Sequence, residues 1–192
     1  MDIQYKIKFY SDWNCGSGLA AGADVDLLPI RDLQGLPFVP GKTMKGLVRE
    51  ALESLYAVKG RDEQPLIEML GKKNDVATDG DDMKSGCCFF MNAVIPAAQA
   101  QLIVAKELQQ FMFRRISSTS IDKDGIAKDH SLRKIQVAVP CELEGSILDV
   151  PEAKVPDVVD ALRFIKRLGS NRNRGLGRCD IEVLNVKKGG EA

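Results

Sequence analysis

Residues 111–139 read FMFRRISSTSIDKDGIAKDHSLRKIQVAV, and the fold turns on this stretch. Phe111–Ile116 and Lys134–Val139 are strand-like runs rich in β-branched and aromatic residues. Ser117–Arg133 between them is polar and charged, with an Asp-Gly turn at Asp124–Gly125. Two strands joined in this way make a hairpin with a long, basic, extended tip. Leu143–Leu148 is expected to continue its second arm.

Toward the N-terminus, Ile3, Tyr5, Ile7 and Phe9 alternate with Gln4, Lys6 and Lys8, which predicts a half-buried strand. Asp12–Asp26 reads as a loop, and Leu27–Ile30 as a short strand. Thr43 is placed to cap a helix whose buried stripe is Leu47, Ala51, Leu55 and Val58, ended by Gly60. Pro65–Leu70 predicts further helical turns stopped at Gly71. Lys72–Gly86 is polar and reads as a loop. Cys87–Ile95 is a continuous apolar run of strand length and predicts a buried strand; Ala97–Gln110 reads as a helix. Toward the C-terminus, Pro156 suits the first position of a helix with Val158, Leu162, Ile165 and Leu168 buried and Gly169 at its end. Asp180–Val186 predicts a last strand. The order is β-α-β-β-α-β, a ferredoxin-like pattern in the α+β class.

Composition narrows the function classes. The chain has 192 residues, 44% apolar and 28% charged, which excludes a disordered polymer and suits one domain over 1–192. It has no apolar run of membrane-spanning length, and its first residues lack a signal-peptide core, so a cytoplasmic protein without a membrane partner is expected. Lys plus Arg and Asp plus Glu are 27 each. The charge is nevertheless segregated: Arg163–Lys188 carries a net +6 and Phe111–Ile135 +3, against −4 over Arg61–Asp82 and −5 over Val137–Leu162. Five cysteines form no C-x-x-C pair and His130 is the single histidine, so the usual zinc patterns and Ser-His or Cys-His catalysis are disfavoured. Cys88 and Cys179 read as small core residues.

Four motifs carry chemistry. Phe38–Gly46 leads into a helix N-terminus, where backbone N–H groups, Lys42 and Lys45 favour an anion. Gly169–Arg178 packs three arginines and three glycines into ten residues, letting the backbone approach phosphates that the guanidinium groups bind. The hairpin tip sets Ile121, Ile126, His130 and Leu132 among charges, where apolar groups can wedge between bases or pack on a neighbouring subunit. Asp24 and Asp26, with Asp32 beyond, are loop carboxylates that suit either Mg²⁺ or turn formation.

These blocks resemble the RAMP superfamily of CRISPR-associated proteins, nearest to the backbone subunits of type III effector complexes. Leu36–Arg49 is similar to the family's P-x-I-P-G-S-S-x-K-G-x-x-R block, with Lys42-Thr43 in place of Ser-Ser. Met69-Leu70-Gly71 followed by Gly86–Ala93 resembles its L-F-G and following strand. Thr119–Lys123 resembles the segment opening its thumb hairpin, about 111–139 here. Gly169–Gly177 resembles its C-terminal glycine-rich loop, with Asn171 and Asn173 at small-residue positions. Cys15–Gly18 partly matches its first glycine loop.

The resemblance implies a modified ferredoxin-like, RRM-like core with an extended thumb hairpin. It implies an antiviral RNA-binding subunit that partners CRISPR RNA, complementary target RNA and other effector subunits, and that self-associates into a filament. The implied RNA-binding positions are Ser17, Lys42, Thr43, Lys45, Arg49, Arg115, Arg133, Arg172, Asn173, Arg174, Gly175 and Gly177. Asp26 is the implied catalytic residue and Mg²⁺ ligand for target RNA cleavage, with Asp32 as the second carboxylate. Asp24 takes its place if the loop register slips by two. The alternative is a catalytically inactive structural or capping subunit. A third reading, a processing nuclease, usually needs histidine-centred chemistry and has only His130 to draw on.

Overall fold

The alternation at the N-terminus becomes β1 (Asp2–Phe9), with Ile3, Tyr5, Ile7 and Phe9 all buried. In this computed structural model, residues 1–16, 18, 27–72 and 85–189 are described. The expected loop residues 73–84 lie outside them.

The first long helix, α1 (Gly41–Lys59), buries Met44, Val48, Ala51, Leu52 and Tyr56 and ends at Gly60 in a left-handed cap. Its N-cap is Pro40 rather than Thr43, which sits inside the first turn. Proline supplies extended φ and ψ there, so the helix starts two residues before the expected cap. Next comes α2 (Gln64–Leu70), with proline in its first turn, stopped at Gly71.

The apolar run Cys87–Ile95 does not form one buried strand. It yields β2 (Phe89–Phe90), and Phe89, Met91 and Val94 are exposed. The run breaks at Asn92, whose Oδ1 accepts the Gly41 N–H at 2.9 Å. Ala93 then pairs with Val39 and Val94 with Glu144 as isolated bridges. Hydrophobic content predicted burial, but this segment lies at a sheet edge and divides its hydrogen bonds among three neighbours.

After α3 (Ala97–Ala105) and a 3-10 turn at Gln109–Met112, β3 (Phe113–Ser118) and β4 (Arg133–Ala138) pair antiparallel as a separate two-stranded hairpin. Leu143–Leu148 does not extend that hairpin. It belongs to β5 (Glu142–Leu148), which crosses to the main sheet and pairs with β1. Tyr5 lies opposite Gly145, and a Cβ at Gly145 would stand 2.7 Å from the Tyr5 hydroxyl, so the missing side chain makes room for the ring.

The second core helix, α4 (Val155–Phe164), buries Val158, Ala161 and Leu162. It ends at Phe164 although the apolar spacing continues to Leu168. Residues 166–168 instead pair with 177–179: Leu168 donates to the Gly177 carbonyl at 2.9 Å and Cys179 to that of Lys166 at 3.0 Å. A ladder closed by the returning chain replaces the last helical turn, and Ile165 and Leu168 remain buried outside the helix.

With β6 (Cys179–Lys187) the main sheet has the order β2-β5-β1-β6, and each neighbouring pair is antiparallel. Helix α4 is tied to α1 by the Tyr56 hydroxyl donating to Asp157 at 2.7 Å and by the Arg61–Asp157 ion pair at 2.9 Å. Both helices contribute to the cluster containing the inward residues of β1. The other residues of β1 and β5 set Lys6 and Lys8 against Glu142, a charged face rather than an aromatic one. No described helix is long and apolar enough to cross a membrane.

Candidate nucleic-acid interface

The segment after β1 was expected to be a plain loop, yet Asp12, Trp13, Asn14 and Cys15 are all buried. Trp13 stacks on Phe9 with centroids 4.4 Å apart, exchanges backbone hydrogen bonds with Ala138 of β4, and donates its indole N–H to the Val139 carbonyl. Asn14 donates from Nδ2 to the Gln136 carbonyl at 2.6 Å. The same segment holds the C-terminal loop: Asp12 accepts the Gly177 N–H at 2.7 Å through its carbonyl, and Asn14 accepts the Ser170 N–H at 2.7 Å. Asp12, Trp13 and Asn14 therefore fasten the glycine- and arginine-rich loop to the base of the hairpin.

An ion pair reinforces this joint. The Asp12 carboxylate accepts Nε–H of Arg114, on β3, at 2.6 Å, and also pairs with its Nη2. Breaking a fully buried pair costs about 3–5 kcal/mol. Here the Arg114 side chain stays 63% exposed, so water screens the pair. We expect Asp12→Ala to cost about 1–2 kcal/mol, seen as a lower Tm. Asp12→Asn, which keeps the shape and one acceptor, is expected to cost less. An unchanged Tm in Asp12→Ala would show that the backbone bonds alone fix the joint.

The loop takes its shape from two residue types. Gly177 has φ +69°, and Asn171 has φ +57°, a left-handed conformation that asparagine tolerates better than most side chains. Asn171 thus fills a position where a small residue was expected, and its carbonyl accepts the Arg174 N–H at 2.8 Å. Arg174, Asn173 and Gly175 are exposed, and Arg174 makes no ion pair among the described residues.

The loop and the start of α1 enclose a cavity of about 370 Å³ lined by Lys42, Thr43, Gly46, Gly169, Ser170 and Arg172, with Cys15, Gly16, Leu47 and Glu50 completing the wall. The first turn of α1 carries no acidic residue, its N-cap Pro40 makes no side-chain bond, and Asn92 Oδ1 takes only the Gly41 N–H. A helix N-terminus, a lysine and a guanidinium thus face one space, a setting in which an anion is stabilised.

Helical spacing divides the expected residues. Lys42, Gly46 and Glu50 recur every four residues on the stripe facing the cavity. Lys45 and Arg49 occupy another stripe. Lys45 stands within electrostatic reach of Cys88, lowering a thiol pKa that burial pushes up to about 12. Arg49 donates from Nη2 to the carbonyls of Leu70 at 2.6 Å and Gly71 at 2.9 Å, so its guanidinium closes the C-terminus of α2. Gly177 is buried, with its N–H and carbonyl both engaged by the chain. Arg115 and Arg133 lie exposed on the hairpin, on β3 and at the start of β4.

At the hairpin tip Ile121, Ile126 and Leu132 are 64%, 65% and 60% exposed. The tip is shaped by Asp122, whose Oδ1 accepts the N–H groups of Asp124 and Ile126, each at 2.9 Å. His130 is exposed there with φ +56°.

Ser17, Asp24 and Asp26 lie outside the described residues. Leu27, the residue after Asp26, pairs with Ile135 of β4 and accepts the Gln136 N–H at 3.0 Å. Asp32 shapes a turn: its Oδ1 accepts the N–H of Gln34 at 2.9 Å and of Leu36 at 2.8 Å. Among the described residues no group of three His, Cys, Asp or Glu side chains could hold a metal ion. All five cysteines are free. Burial pushes the thiols of Cys15 and Cys179 up to about 12 and that of Cys141 up to about 11, which leaves them protonated and unreactive at neutral pH.

Sequence reading missed Asp12, Asn14, Glu50 and Arg114. Glu50 could have been placed by its spacing from Lys42, but nothing local pointed to its partner, Arg172.

No curated protein matches the chain in sequence. Many solved chains share its fold, two of them from one type of complex. One is a chain of the type III-B Cmr-beta complex bound to cognate target RNA, solved by cryo-electron microscopy. It has a TM-score of 0.72 and 11% identity over 95% of this chain and 97% of that one. The other is a chain of the Cmr-beta complex in the apo state, with a TM-score of 0.68 and 12% identity over 96% of this chain and 97% of that one. At such identities the likeness speaks for the fold alone. The family model of the RAMP superfamily matches residues 6–180, a span that holds the lysine-bearing start of α1, the hairpin and the glycine-rich loop, and the chain belongs to that superfamily.

Proposed function

We propose that this chain is an RNA-binding backbone subunit of a type III CRISPR interference complex. In this reading it stacks with further copies along the guide and cleaves the target RNA. The carrying observation is the convergence of Lys42 and Thr43 with Gly169, Ser170 and Arg172 around one cavity, from parts of the chain more than a hundred residues apart. The core is a modified ferredoxin-like domain, a reading supported by the β2-β5-β1-β6 order with α1 and α4. The guide backbone lies across the start of α1 and the arginine loop. The hairpin reaches out with Arg115, Arg133 and its apolar tip to part the guide–target duplex, as wedge side chains do elsewhere. Arg49 and Gly177 support this surface from behind and do not touch the RNA.

Cleavage uses the substrate's own 2′-hydroxyl. Its oxygen attacks the adjacent phosphorus and the P–O5′ bond breaks, leaving a 2′,3′-cyclic phosphate and a 5′-hydroxyl. The protein's task is to splay the strand so that attack is in line and to place the Asp26 carboxylate beside the reacting groups. Bound Mg²⁺ would supply charge neutralisation at the phosphate. The reading is supported by Leu27 lying against the hairpin at Ile135, which puts the residue following Asp26 next to the splaying element.

The test is a titration with labelled single-stranded RNA and with duplex DNA at two salt concentrations, on the wild type and Arg174→Ala. Salt-sensitive binding that favours RNA is expected. Losing one phosphate contact to a single strand reduces the slope of log K against log salt by about 0.7. Arg174→Ala is expected to show that decrease together with weaker binding. An unchanged slope would remove the loop from the binding surface.

A further inference from the structure

Arg172 is already engaged in this chain. Its Nη1 donates to Glu50 Oε2 at 3.1 Å, and its Nη2 to Oε1 at 2.9 Å and Oε2 at 3.1 Å. Glu50 occupies the Nη1–Nη2 edge of the guanidinium, and that edge cannot grip a phosphate while the pair is closed. Neither partner is locked by burial: the Glu50 side chain is 60% exposed and that of Arg172 37%.

The place of the pair matters. Leu47, Glu50 and Arg172 line the cavity at Lys42 and also a second one of about 150 Å³, which runs along α1 toward Phe164. An RNA backbone reaching the cavity from the Lys42 side therefore meets Arg172 closed against a carboxylate. Arg174, two residues on, has no such partner among the described residues.

We propose that Glu50 is an internal competitor for the RNA phosphate at Arg172. RNA binding breaks the Glu50–Arg172 pair, and the guanidinium exchanges a carboxylate on α1 for a phosphate of the guide. This rests on the RNA-binding reading above and deepens it. An exposed ion pair is weak, so Glu50 lowers the affinity of a lone subunit by a few-fold and does not close the site. A subunit restrained in this way holds stray RNA poorly, and neighbours bound along the same guide make up the difference through effective concentration.

The experiment is a titration of labelled single-stranded oligouridine into wild type, Glu50→Gln, Arg172→Ala and the double variant, with Tm measured for each. Glu50→Gln is expected to bind roughly fivefold more tightly. Arg172→Ala is expected to bind more weakly, and adding Glu50→Gln to it to change nothing further. Arg172→Lys, which keeps the charge and loses the fork, is expected to shrink the Glu50 effect. An equal gain from Glu50→Gln in both arginine backgrounds would make Glu50 a general repelling charge and overturn the competition. A loss of affinity in Glu50→Gln at unchanged Tm would make Glu50 a positioning residue for Arg172, overturning the proposal while the RNA site stands. If neither Arg172→Ala nor Arg174→Ala alters binding, the RNA-binding reading falls, and the competition with it.

Discussion

Asp26→Ala, introduced into an assembled complex, is expected to abolish cleavage of the target RNA at regular intervals, a rate loss of about a hundredfold or more. Guide and target binding are expected to stay at wild-type level, because the phosphate contacts assigned to Lys42, Thr43, Arg172 and Arg174 do not involve the carboxylate. The size of the effect follows from the chemistry. With the nucleophile supplied by the RNA, the protein can act through geometry and through charge at the reacting phosphate. A strand that remains splayed keeps the first contribution and loses the second. The measurement is a cleavage ladder from a labelled target, with and without a chelator; chelation of the wild type is expected to reproduce the loss. If Asp24→Ala carries the loss instead, the loop register is displaced by two. Full cleavage in both variants would favour the inactive structural or capping subunit. Asp32 is expected to matter little, since its carboxylate oxygen Oδ1 holds the turn at Gln34 and Leu36.

Gly177→Ala is expected to be the most destabilising single methyl in the C-terminal loop. A Cβ there would lie 1.8 Å from the Leu168 carbonyl oxygen, at φ +69°. That oxygen is backbone and cannot swing aside. The Gly177 N–H and carbonyl are also the bonds that hold the loop to Asp12 and Leu168. Relieving the clash would break both, together with the joint that carries Arg172 and Arg174. A cost of about 4 kcal/mol or more is expected, in the exceptional range for a point change, with RNA binding lost as well. Gly175→Ala is the control. Gly175 has φ +90° but nothing within 4 Å of a Cβ, so conformational strain alone applies. That is about 1–2 kcal/mol. Thermal melts of the two variants check the contrast, and equal shifts would mean that the close approach to Leu168 relaxes freely.

Much of the framework could be read from local pattern. The period of two in Ile3–Phe9 marks one buried face and is realised in β1. The helical period after Gly41 is realised in α1, but the buried stripe is rotated from the expected one: Met44, Val48, Ala51, Leu52 and Tyr56 are buried, Leu47 and Leu55 half-buried, and Val58 is exposed beside the C-cap. The hairpin was readable because its two strand-like runs flank a mostly polar segment with an Asp-Gly turn. Patterns failed where a distant segment supplied the hydrogen bonds. The apolar spacing of α4 continues to Leu168, but residues 177–179 capture the chain after Phe164. The run Cys87–Ile95 has the hydrophobicity of a buried strand and lies at an edge, because Asn92 turns to α1.

The candidate site divides the same way. Sequence by itself determined which residue types could bind phosphate and the order of the four family blocks, since composition, spacing and order are properties of the chain. Tertiary structure decided which of those residues act together. It placed Lys42 and Thr43 beside Gly169–Arg172, turned Lys45 and Arg49 toward α2 and Cys88, and gave Arg172 a carboxylate partner 122 residues away. The physical reason is the buried Asp12–Cys15 segment. Its hydrogen bonds to β4 on one side and to the C-terminal loop on the other set the distance between elements that no local periodicity connects.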